Sequence, residues 1–503
     1  MHPRCPHHRY YPGGGLVIPA DIASATPLFV AMCGIAIYFI TKILPRDLRH
    51  WSGMLTALLL LGTFFVLLSV ILWHATSSQI SFIGITGGLL VTGIGTVSAW
   101  ASEAGIDPKG PVHLYYPLFL FALAGAMAVG FANDLFTIFV MVELSAIPVY
   151  ALCAYRHKED PAALSSAMKY LLQGVVGTLT ALFGVAILYL IGHTLNLSAL
   201  PKALAGADPL LVVFSAVLIL LGYGVKLAIV PLHTWLPDVY ARAPLGVTAI
   251  MVGPTKIGVL VAMFLTLSAM PATAGIPRIL GIIIIFFAVL TMTAGNLLAL
   301  NQRDLRYVLA YSSVAQTGYI LLGFGIGMAY NLPLGLTAGF YYAMAYAMMK
   351  AGAFIATDAF ARDAGSYETA RMRGLGAKYS LIGISFDIFI FGLSGVPFTA
   401  GFLGKLLLVQ AGMLTLTISG AVLALILVLN SALSLAFYVP VISTLMFYGT
   451  ESDRCPVSRQ KIPIPLVTAV VFLAFVTVYL GLFPASFDWI SHASAQIFTW
   501  GVP

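Results

Sequence analysis

Seven ionisable side chains lie inside long apolar runs of this 503-residue sequence: Lys169, Lys226, Lys256, Lys350, Lys405, Glu143 and Asp387. An ammonium group near the centre of a bilayer costs about 2.5 to 3.5 kcal/mol on insertion scales, so such a lysine normally faces a bundle interior and serves a charge pathway. A carboxylate at that depth takes up a proton or pairs with a cation. These residue types therefore predict proton or ion transfer inside a membrane.

The runs that carry these residues predict membrane-spanning helices. The sequence is 60% hydrophobic and 9% charged, whereas soluble proteins carry about 25% charged residues. This composition excludes soluble enzymes and predicts a lipid-embedded, all-α polytopic protein. Runs long enough to cross a bilayer, about 20 residues, begin near fourteen positions: Thr26, Ser52, Ile80, His113, Asp134, Met168, Pro209, Pro244, Pro277, Leu305, Pro333, Tyr379, Met413 and Ile462. We therefore predict about fourteen transmembrane helices.

The loops between these spans predict the orientation of the chain. Sixteen Lys and Arg residues fall in loops that follow odd-numbered spans, and four fall on the opposite side. Positive charge collects on the cytoplasmic side of membrane proteins. We therefore expect a multi-pass protein of the cell (inner) membrane with both termini on the outer side.

Spans 7 and 12 are interrupted by proline close to a lysine. Pro231 follows Lys226 in span 7, and Pro397 precedes Lys405 in span 12. Such breaks persist at membrane depth only where protein or water satisfies the freed backbone groups. Because the two spans are five apart and cross in opposite directions, they predict an inverted repeat of two five-helix units with the pathway at its centre. The predicted regions are a polar leader (1–24), spans 1–3 (25–112), repeat 1 with spans 4–8 (113–270), repeat 2 with spans 9–13 (275–448), and span 14 with the C-terminus (462–503).

Three of the candidate residues have a structural alternative. His233, in the break of span 7, can relay protons near neutral pH or serve as a hydrogen-bonded structural imidazole. Lys169 is close to the start of its run and can extend to the membrane surface. Lys350 shares a helical face with Tyr342 and Tyr346, so it is either a relay group or a structural cation among phenols.

Several segments resemble the antiporter-like proton-pumping membrane subunits of the respiratory complex I family. They are NDLFTIFVMVELSAIPVYALCAYR, KYLLQG, GVKLAIVPLHTWLPDVYARAP, NLLALNQRDLRYVLAYSSVAQTGYILLG and GVPFTAGFLGK. The resemblance extends over spans 4–13 and is greatest to the subunit N type, including its counterpart in F420H2 dehydrogenase. By this resemblance, the proton-pathway residues are Glu143, Lys226, Lys256 and Lys405, with Lys169, His233 and Lys350 also matched. The accessory candidates are Asp387, Tyr342 and Tyr346. Asp387 has no counterpart in the family pattern.

The resemblance also implies a function and partners. We expect a proton-translocating subunit of an NADH:quinone, F420H2-linked or ferredoxin-linked oxidoreductase, with a half-channel to Lys226, a connection through Lys256 and a second half-channel at Lys405. The chain has four scattered cysteines and no CxxC pair, so no iron–sulfur or zinc site is expected in it. Flavin, iron–sulfur clusters and quinone are expected in partner subunits, among further membrane subunits and a peripheral redox arm. No nucleic-acid partner is expected.

Three other functions remain open from the sequence. The chain resembles the Mrp-type sodium/proton antiporter subunits, which share the glutamate and the lysines. It also resembles the membrane module of group 4 hydrogenases. A purely structural membrane anchor is a further alternative, but an anchor has no need of buried lysines. Sodium dependence of transport discriminates the Mrp alternative from proton pumping.

Overall fold

The computed structural model describes residues 20–45, 48–49, 51–74, 82–107, 110–447 and 461–483. Regular structure in these ranges is helical, and the only extended pairings there are two isolated β-bridges. Most of the predicted leader and the C-terminal twenty residues lie outside the described residues. Several of the loop cations used to orient the chain also lie outside them: Arg4, Arg9, Arg46, Lys109, Arg454 and Arg459.

The α-helices follow one another along the described ranges. They are α1 (Ala20–Ile43), α2 (Trp51–His74), α3 (Phe82–Ser102), α4 (Val112–Ala128), α5 (Leu135–Cys153), α6 (Pro161–Gly192), α7 (Leu200–Ala203), α8 (Pro209–Leu227), α9 (Leu236–Arg242), α10 (Leu245–Ile250), α11 (Lys256–Ser268), α12 (Ile276–Leu300), α13 (Leu305–Ala329), α14 (Pro333–Ala364), α15 (Leu375–Lys378), α16 (Ser380–Ser394), α17 (Ala400–Leu414), α18 (Ile418–Met446) and α19 (Ile464–Leu482). A π-helical segment, Met251–Thr255, joins α10 to α11.

The protein is a polytopic membrane protein, as predicted. Each of the fourteen predicted span positions contains helix, and eleven of the described spans are long and apolar enough to cross a membrane. A bent pair, Thr369–Lys378 with Ser380–Ser394, counts as a twelfth if it is one span; the helix direction changes by 117° between its two parts. The long helices α13 and α14 are more polar than these spans, and most of their residues are buried in the bundle. The count of fourteen crossings stays a prediction.

Both predicted helix breaks are confirmed. In span 7, α8 ends at Leu227, Ala228 adopts the left-handed conformation with φ 57°, and α9 begins eight residues later. In span 12, α16 ends at Ser394 and Gly395 adopts φ 90° before α17 begins. Glycine tolerates that conformation at little cost because it has no Cβ. The two breaks leave backbone groups without helical partners close to Lys226 and Lys405.

Side chains satisfy part of the open backbone at the first break. The indole of Trp235 donates to the carbonyl of Val225 at 2.8 Å, and the amide of Val230 donates to the hydroxyl of Thr291 at 3.1 Å. Such contacts are needed because an unpaired backbone group inside a bilayer costs several kcal/mol. Protein contacts therefore hold the break in place at membrane depth.

Two equivalent loop contacts support the predicted internal repeat. The start of α5 pairs with the segment after α6, where Leu135 N donates to Leu195 O at 3.0 Å. The start of α13 pairs with the segment after α14 in the same way, where Leu305 N donates to Tyr367 O at 2.9 Å. Each contact belongs to an antiparallel bridge that includes the aspartate capping the helix. The opposite membrane orientation of the two repeats stays a prediction.

Three predicted helix starts are wrong. The first span was expected to start near Thr26, but α1 begins at Ala20. The sixth span was expected to start near Met168, but α6 begins at Pro161 because Asp160 accepts a hydrogen bond from Ala162 N and proline is favoured in the first turn. The thirteenth was expected near Met413, but that residue belongs to α17. In the sixth and thirteenth spans the helix starts do not coincide with the change in hydropathy, because capping residues set helix ends more directly than apolar runs do.

Candidate functional site

The first element of the site is an ion pair between two helices. Glu143 on α5 and Lys226 in the last turn of α8 approach to 2.9 Å between Oε1 and Nζ, with side chains 18% and 3% exposed. Lys226 also donates to the hydroxyl of Tyr150 at 3.2 Å. Tyr150 lies two turns beyond Glu143 on the same helix. The carboxylate and the phenol therefore stabilise a charged ammonium that the surrounding apolar side chains would otherwise exclude.

Lys256 lies at the start of α11, directly after the π-helical segment. Its ammonium donates to the hydroxyl of Thr317 at 2.9 Å and to that of Tyr346 at 3.4 Å. π-Helical turns often occur at functional sites. Pro254, within the segment, has no backbone N–H, so the regular helical pattern is interrupted one turn or less before Lys256. Lys256 is buried among neutral hydroxyl groups.

Lys350 lies in the middle of α14 and is fully buried. It donates to the hydroxyl of Ser312 on α13 and, at 3.4 Å, to the hydroxyl of Tyr438 on α18. The phenols expected beside it contact other groups: Tyr346 contacts Lys256, and Tyr342 donates to the side chain of Gln316. Lys350 thus has hydroxyl partners, but they come from neighbouring helices.

Lys405 lies on α17, just after the second break. Its ammonium donates to the carbonyl of Leu393 at 2.7 Å and to the hydroxyl of Ser431 at 2.9 Å, and it lies 4.6 Å from the ring centre of Tyr319. Leu393 is at the C-terminal end of α16, where the helix dipole and the open carbonyl groups favour a cation. The break therefore supplies the acceptor that holds this lysine.

One face of α13 connects three of the four buried lysines. Ser312 contacts Lys350, Thr317 contacts Lys256, and Gln316 donates to the same Leu393 carbonyl that accepts from Lys405. With Ser313, these residues form what we call the α13 polar strip; all four are at most 1% exposed. Neutral hydroxyl and amide groups can pass or orient a proton between lysines without adding charge.

The α13 polar strip also explains the asymmetry of the two repeats. Aligning the capping residues Asp134 and Asp304 places Ser313 at the position of Glu143. The second repeat therefore has a hydroxyl where the first has its carboxylate. Lys226 therefore has a carboxylate partner, whereas Lys256, Lys350 and Lys405 have neutral polar partners.

Comparisons with known proteins agree with this geometry. The family model described as the transmembrane region of NADH:quinone oxidoreductases and Mrp antiporters matches residues 132–434. The F(420)H(2) dehydrogenase subunit N of Methanosarcina mazei is 34% identical over 400 residues, which cover 76% of this chain and 77% of that protein. The chain belongs to this family. The resemblance predicted from the sequence motifs is thus confirmed.

Further relatives of this antiporter-like family show the same match. The NADH-quinone oxidoreductase subunit N 3 of Streptomyces griseus is 33% identical over 430 residues, which cover 80% of this chain and 75% of that protein. Among solved structures, the membrane-bound sulfane sulfur reductase, an archaeal respiratory membrane complex, contains a chain with a TM-score of 0.81 and 26% identity, covering 96% of this chain and 98% of that one. Respiratory complex I from Thermus thermophilus contains a chain with a TM-score of 0.73 and 26% identity, covering 92% of this chain and 97% of that one. Both structures are complexes in which such a chain is one membrane subunit among others.

Two of the predicted site residues lie apart from the buried lysines. Lys169 on α6 forms an ion pair with Asp238 at 2.7 Å, and the lysine side chain is 55% exposed. Tyr307 donates to the same carboxylate at 3.2 Å. His233 is half-buried in the first break, with its ring centre 6.5 Å from that of Tyr311. Lys169 thus contacts α9, the short helix that follows the first break, and His233 lies within the break itself.

Asp387 on α16 is half-buried, and within the described part of the chain its Oδ1 is buried and accepts no hydrogen bond. No ion pair or hydrogen bond joins it to any of the described lysines. Asp387 therefore stays an accessory candidate. The hydroxyl partners of the lysines on α13 and α18 could not be identified from their spacing in the sequence, since serine and threonine are common in helices that cross membranes.

At the end of the bundle, Arg242 and Asp160 form an ion pair at 2.7 Å. Partial desolvation acts to raise the pKa of Asp160, but the hydrogen bonds from Arg242 and from Ala162 N outweigh it and lower the pKa below its ordinary value. The carboxylate thus stays ionised, and it ties the end of α9 to the start of α6. This contact fixes the short helix that follows the break in span 7.

Proposed function

We propose that this chain is a proton-translocating membrane subunit of a complex I-like oxidoreductase, of the NADH:quinone, F420H2-linked or ferredoxin-linked kind. The observation that carries the proposal is the buried ion pair of Glu143 and Lys226 in one helical bundle with three further buried lysines. Buried charges are costly, and a buried lysine with neutral partners is less fully compensated than one that faces a carboxylate. Pumping would use this difference between Lys226, which has an ionic partner, and the three lysines whose partners are neutral.

The ion pair would act as the switch of the relay. While Glu143 contacts Lys226, the ammonium form is stabilised. When a charge change in a neighbouring subunit draws Glu143 away, the charged form of Lys226 loses its partner in a desolvated site, and its proton moves on toward Lys256. Thr317 and Tyr346, and then the rest of the α13 polar strip, would orient transfer toward Lys350 and Lys405. Lys405 would serve the second half-channel.

The energy would come from redox chemistry outside this chain. We infer that flavin, iron–sulfur clusters and quinone belong to partner subunits, which include further antiporter-like and small membrane subunits and a peripheral redox arm. The chain would lie in the cell membrane with both termini outside. The likeness to single chains of two solved respiratory complexes supports assembly of this kind.

A sodium/proton antiporter subunit of the Mrp type is the second candidate, because the matching family model includes Mrp antiporters. The chemistry of the site favours protons. A hard cation prefers several oxygen ligands, and a series of cationic lysines would repel it, whereas lysines pass protons readily. We therefore propose that transport is proton-only.

The test uses the intact complex reconstituted into vesicles and energised by its own electron donor. We expect proton uptake that is unchanged when sodium is replaced by potassium and that collapses with a protonophore. Lys226→Ala should abolish uptake while the partner subunits still co-purify. The control is Lys202→Ala, which removes an exposed lysine of the short helix α7. Transport driven or inhibited by a sodium gradient, without a separate sodium-carrying subunit, would support the antiporter function instead.

A further inference from the structure

An apolar groove extends along the membrane-spanning parts of α2, α3, α14 and α19 and has a volume of about 990 Å³. We call it the α3–α19 groove. Met344 and Met348 of α14 are buried and form its floor, whereas Leu61 of α2 and Phe472 of α19 are exposed and lie at its rim. Apolar cavities do not hold water, and in a bilayer this groove opens onto hydrocarbon chains. Its occupant is therefore expected to be apolar.

The shape of the groove discriminates between apolar occupants. Its lining extends from Thr86 to Trp100 on α3 and from Thr468 to Leu480 on α19, which at the helical rise corresponds to a length of about 20 Å. The volume divided by this length gives a mean cross-section of about 50 Å². An α-helix with its side chains is about 10 Å wide and needs about 80 Å², whereas a hydrocarbon chain is about 4 to 5 Å wide and needs about 20 Å². Two hydrocarbon chains side by side therefore fit the groove, and a helix of a partner subunit does not.

One end of the groove carries basic side chains. The indole of Trp100, near the end of α3, donates to a threonine near the start of α19 at 2.9 Å. Gly53, near the start of α2, packs against the side chain of Glu103, directly after α3. The start of α2, the end of α3 and the start of α19 therefore lie at the same end of the groove. Arg49 and Lys461 come just before α2 and α19, so two cations lie at this end and can attract the phosphate of a lipid.

We propose that the α3–α19 groove binds one phospholipid, with its two chains side by side along the groove and its phosphate near Arg49 and Lys461. One leaflet contributes about 15 Å of hydrocarbon, so the chains of a single lipid cover most of the length of the groove. The chains pack against Met344 and Met348 and separate α14, which carries Lys350, from the mobile lipid of the bilayer. This site does not depend on the proposed proton transport, because the bound lipid can be measured in the resting complex.

The experiment places the photo-crosslinking residue p-benzoylphenylalanine at Phe472 or at Phe29 in the intact complex. Phe472 lines the groove and is 53% exposed, whereas Phe29, on α1, lies outside the groove lining and is 52% exposed. Each is close to the middle of its helix. The complex is illuminated before and after a long wash in lipid-free detergent, and the crosslinked products are identified by mass spectrometry. We expect the fraction of phospholipid crosslinks that survives the wash to be at least about fivefold higher at Phe472 than at Phe29, which corresponds to about 1 kcal/mol of van der Waals packing.

A second substitution fills part of the groove. Gly93 lines it, and a Cβ added there would lie 3.4 Å from the ring of Phe64, so the side chain of Gly93→Phe enters the space beside that ring. Gly93→Phe should lower the surviving phospholipid crosslink at Phe472 at least about fivefold, because the chains lose part of their packing. The matched control is Gly62→Phe on α2, where an added Cβ would meet nothing within 4 Å, and it should leave the crosslink unchanged.

Three results would each overturn the proposal. They are equal survival of the lipid crosslinks at Phe472 and Phe29, an unchanged crosslink at Phe472 in Gly93→Phe, and a crosslink from Phe472 to a protein segment of this chain or of another subunit. If Gly93→Phe fails to assemble, the comparison of Phe472 with Phe29 still decides. The crosslinking needs no turnover, so its failure leaves the proposed function standing, whereas normal proton uptake by Lys226→Ala would refute that function alone.

Discussion

Glu143→Gln removes the negative charge of the central ion pair and retains the shape of the side chain. At the observed 2.9 Å, two unit charges interact by about 6 kcal/mol if the effective dielectric constant is about 20. Breaking a buried pair by removing one partner typically costs about 3 to 5 kcal/mol, because the other charge stays buried without compensation. Every 1.4 kcal/mol or so is a factor of ten in an equilibrium. The charged form of Lys226 should therefore be at least about a hundredfold less favourable in the variant.

This loss should stop the relay at its first step. The hydroxyl of Tyr150 remains as a partner for Lys226, but a neutral acceptor cannot replace the charge. We expect the initial rate of redox-driven proton uptake in reconstituted vesicles to fall below about a tenth of the wild-type rate, and the complex to assemble normally. Electron transfer measured in uncoupled membranes reports whether the redox arm is still attached.

The matched control is Glu159→Gln, which makes the same chemical change in a surface ion pair with Arg156. That pair is 3.6 Å apart, and the Glu159 side chain is 71% exposed. Surface pairs of this kind contribute at most about 1 kcal/mol, so proton uptake should be unchanged. If Glu143→Gln pumped as fast as Glu159→Gln, the ion pair would have no role in transport.

Three further predictions concern the second half of the chain and its orientation. Lys405→Arg should lower proton uptake less than Lys405→Ala, because arginine keeps the charge near the Leu393 carbonyl but does not release its proton; equal uptake by wild type and Lys405→Ala would remove this lysine from the pathway. Thr317→Val should lower uptake several-fold by removing a hydrogen-bond partner of Lys256, while Thr357→Val, which removes an equally buried hydroxyl that bonds to the Ala353 carbonyl of its own helix, should not; similar uptake by the two variants would contradict a role for the α13 polar strip. A cysteine introduced at Ser366 should react with an impermeant reagent from the cytoplasmic side, and labelling from outside would show that the predicted orientation is reversed.

The sequence predicted most helices of this fold, and it drew attention to residues that are costly inside a bilayer. Lysines at membrane depth, the prolines of spans 7 and 12 and a mid-span glutamate each produce a strong local signal, because each is costly in a bilayer unless it has a function. That reasoning predicted that Glu143 takes up a proton or pairs with a cation, and in the structure its partner is Lys226. Family motifs added the order of the remaining lysines.

The partners of the other lysines could not be predicted in this way. Tyr346 and Lys350 share a face of α14 by their spacing, yet Tyr346 contacts Lys256 and Lys350 contacts Ser312. Sequence spacing determines which side chains share a helix face, but the rotation and depth of each helix against its neighbours depend on packing over the whole bundle. Lys169 is a similar case, since its partner Asp238 is 69 residues away and carries no pattern of its own.

The position of the polar residues on α13 has a consequence for how mutations combine. Helix α13 carries a hydrogen-bonding group for the site of each of three lysines: Thr317, Gln316 and Ser312. Its neighbours α12 and α14 pack closely against it. Gly295 on α12 faces α13 so closely that a Cβ added to it would lie 2.4 Å from the backbone nitrogen of Ala315. Helices α12 and α13 are therefore in direct backbone contact at this point. A rotation of α13 about its axis would therefore move all three side chains together. Substitutions at these three positions should therefore show strong epistasis, with the double variant losing much less than the two single losses would imply if they were independent.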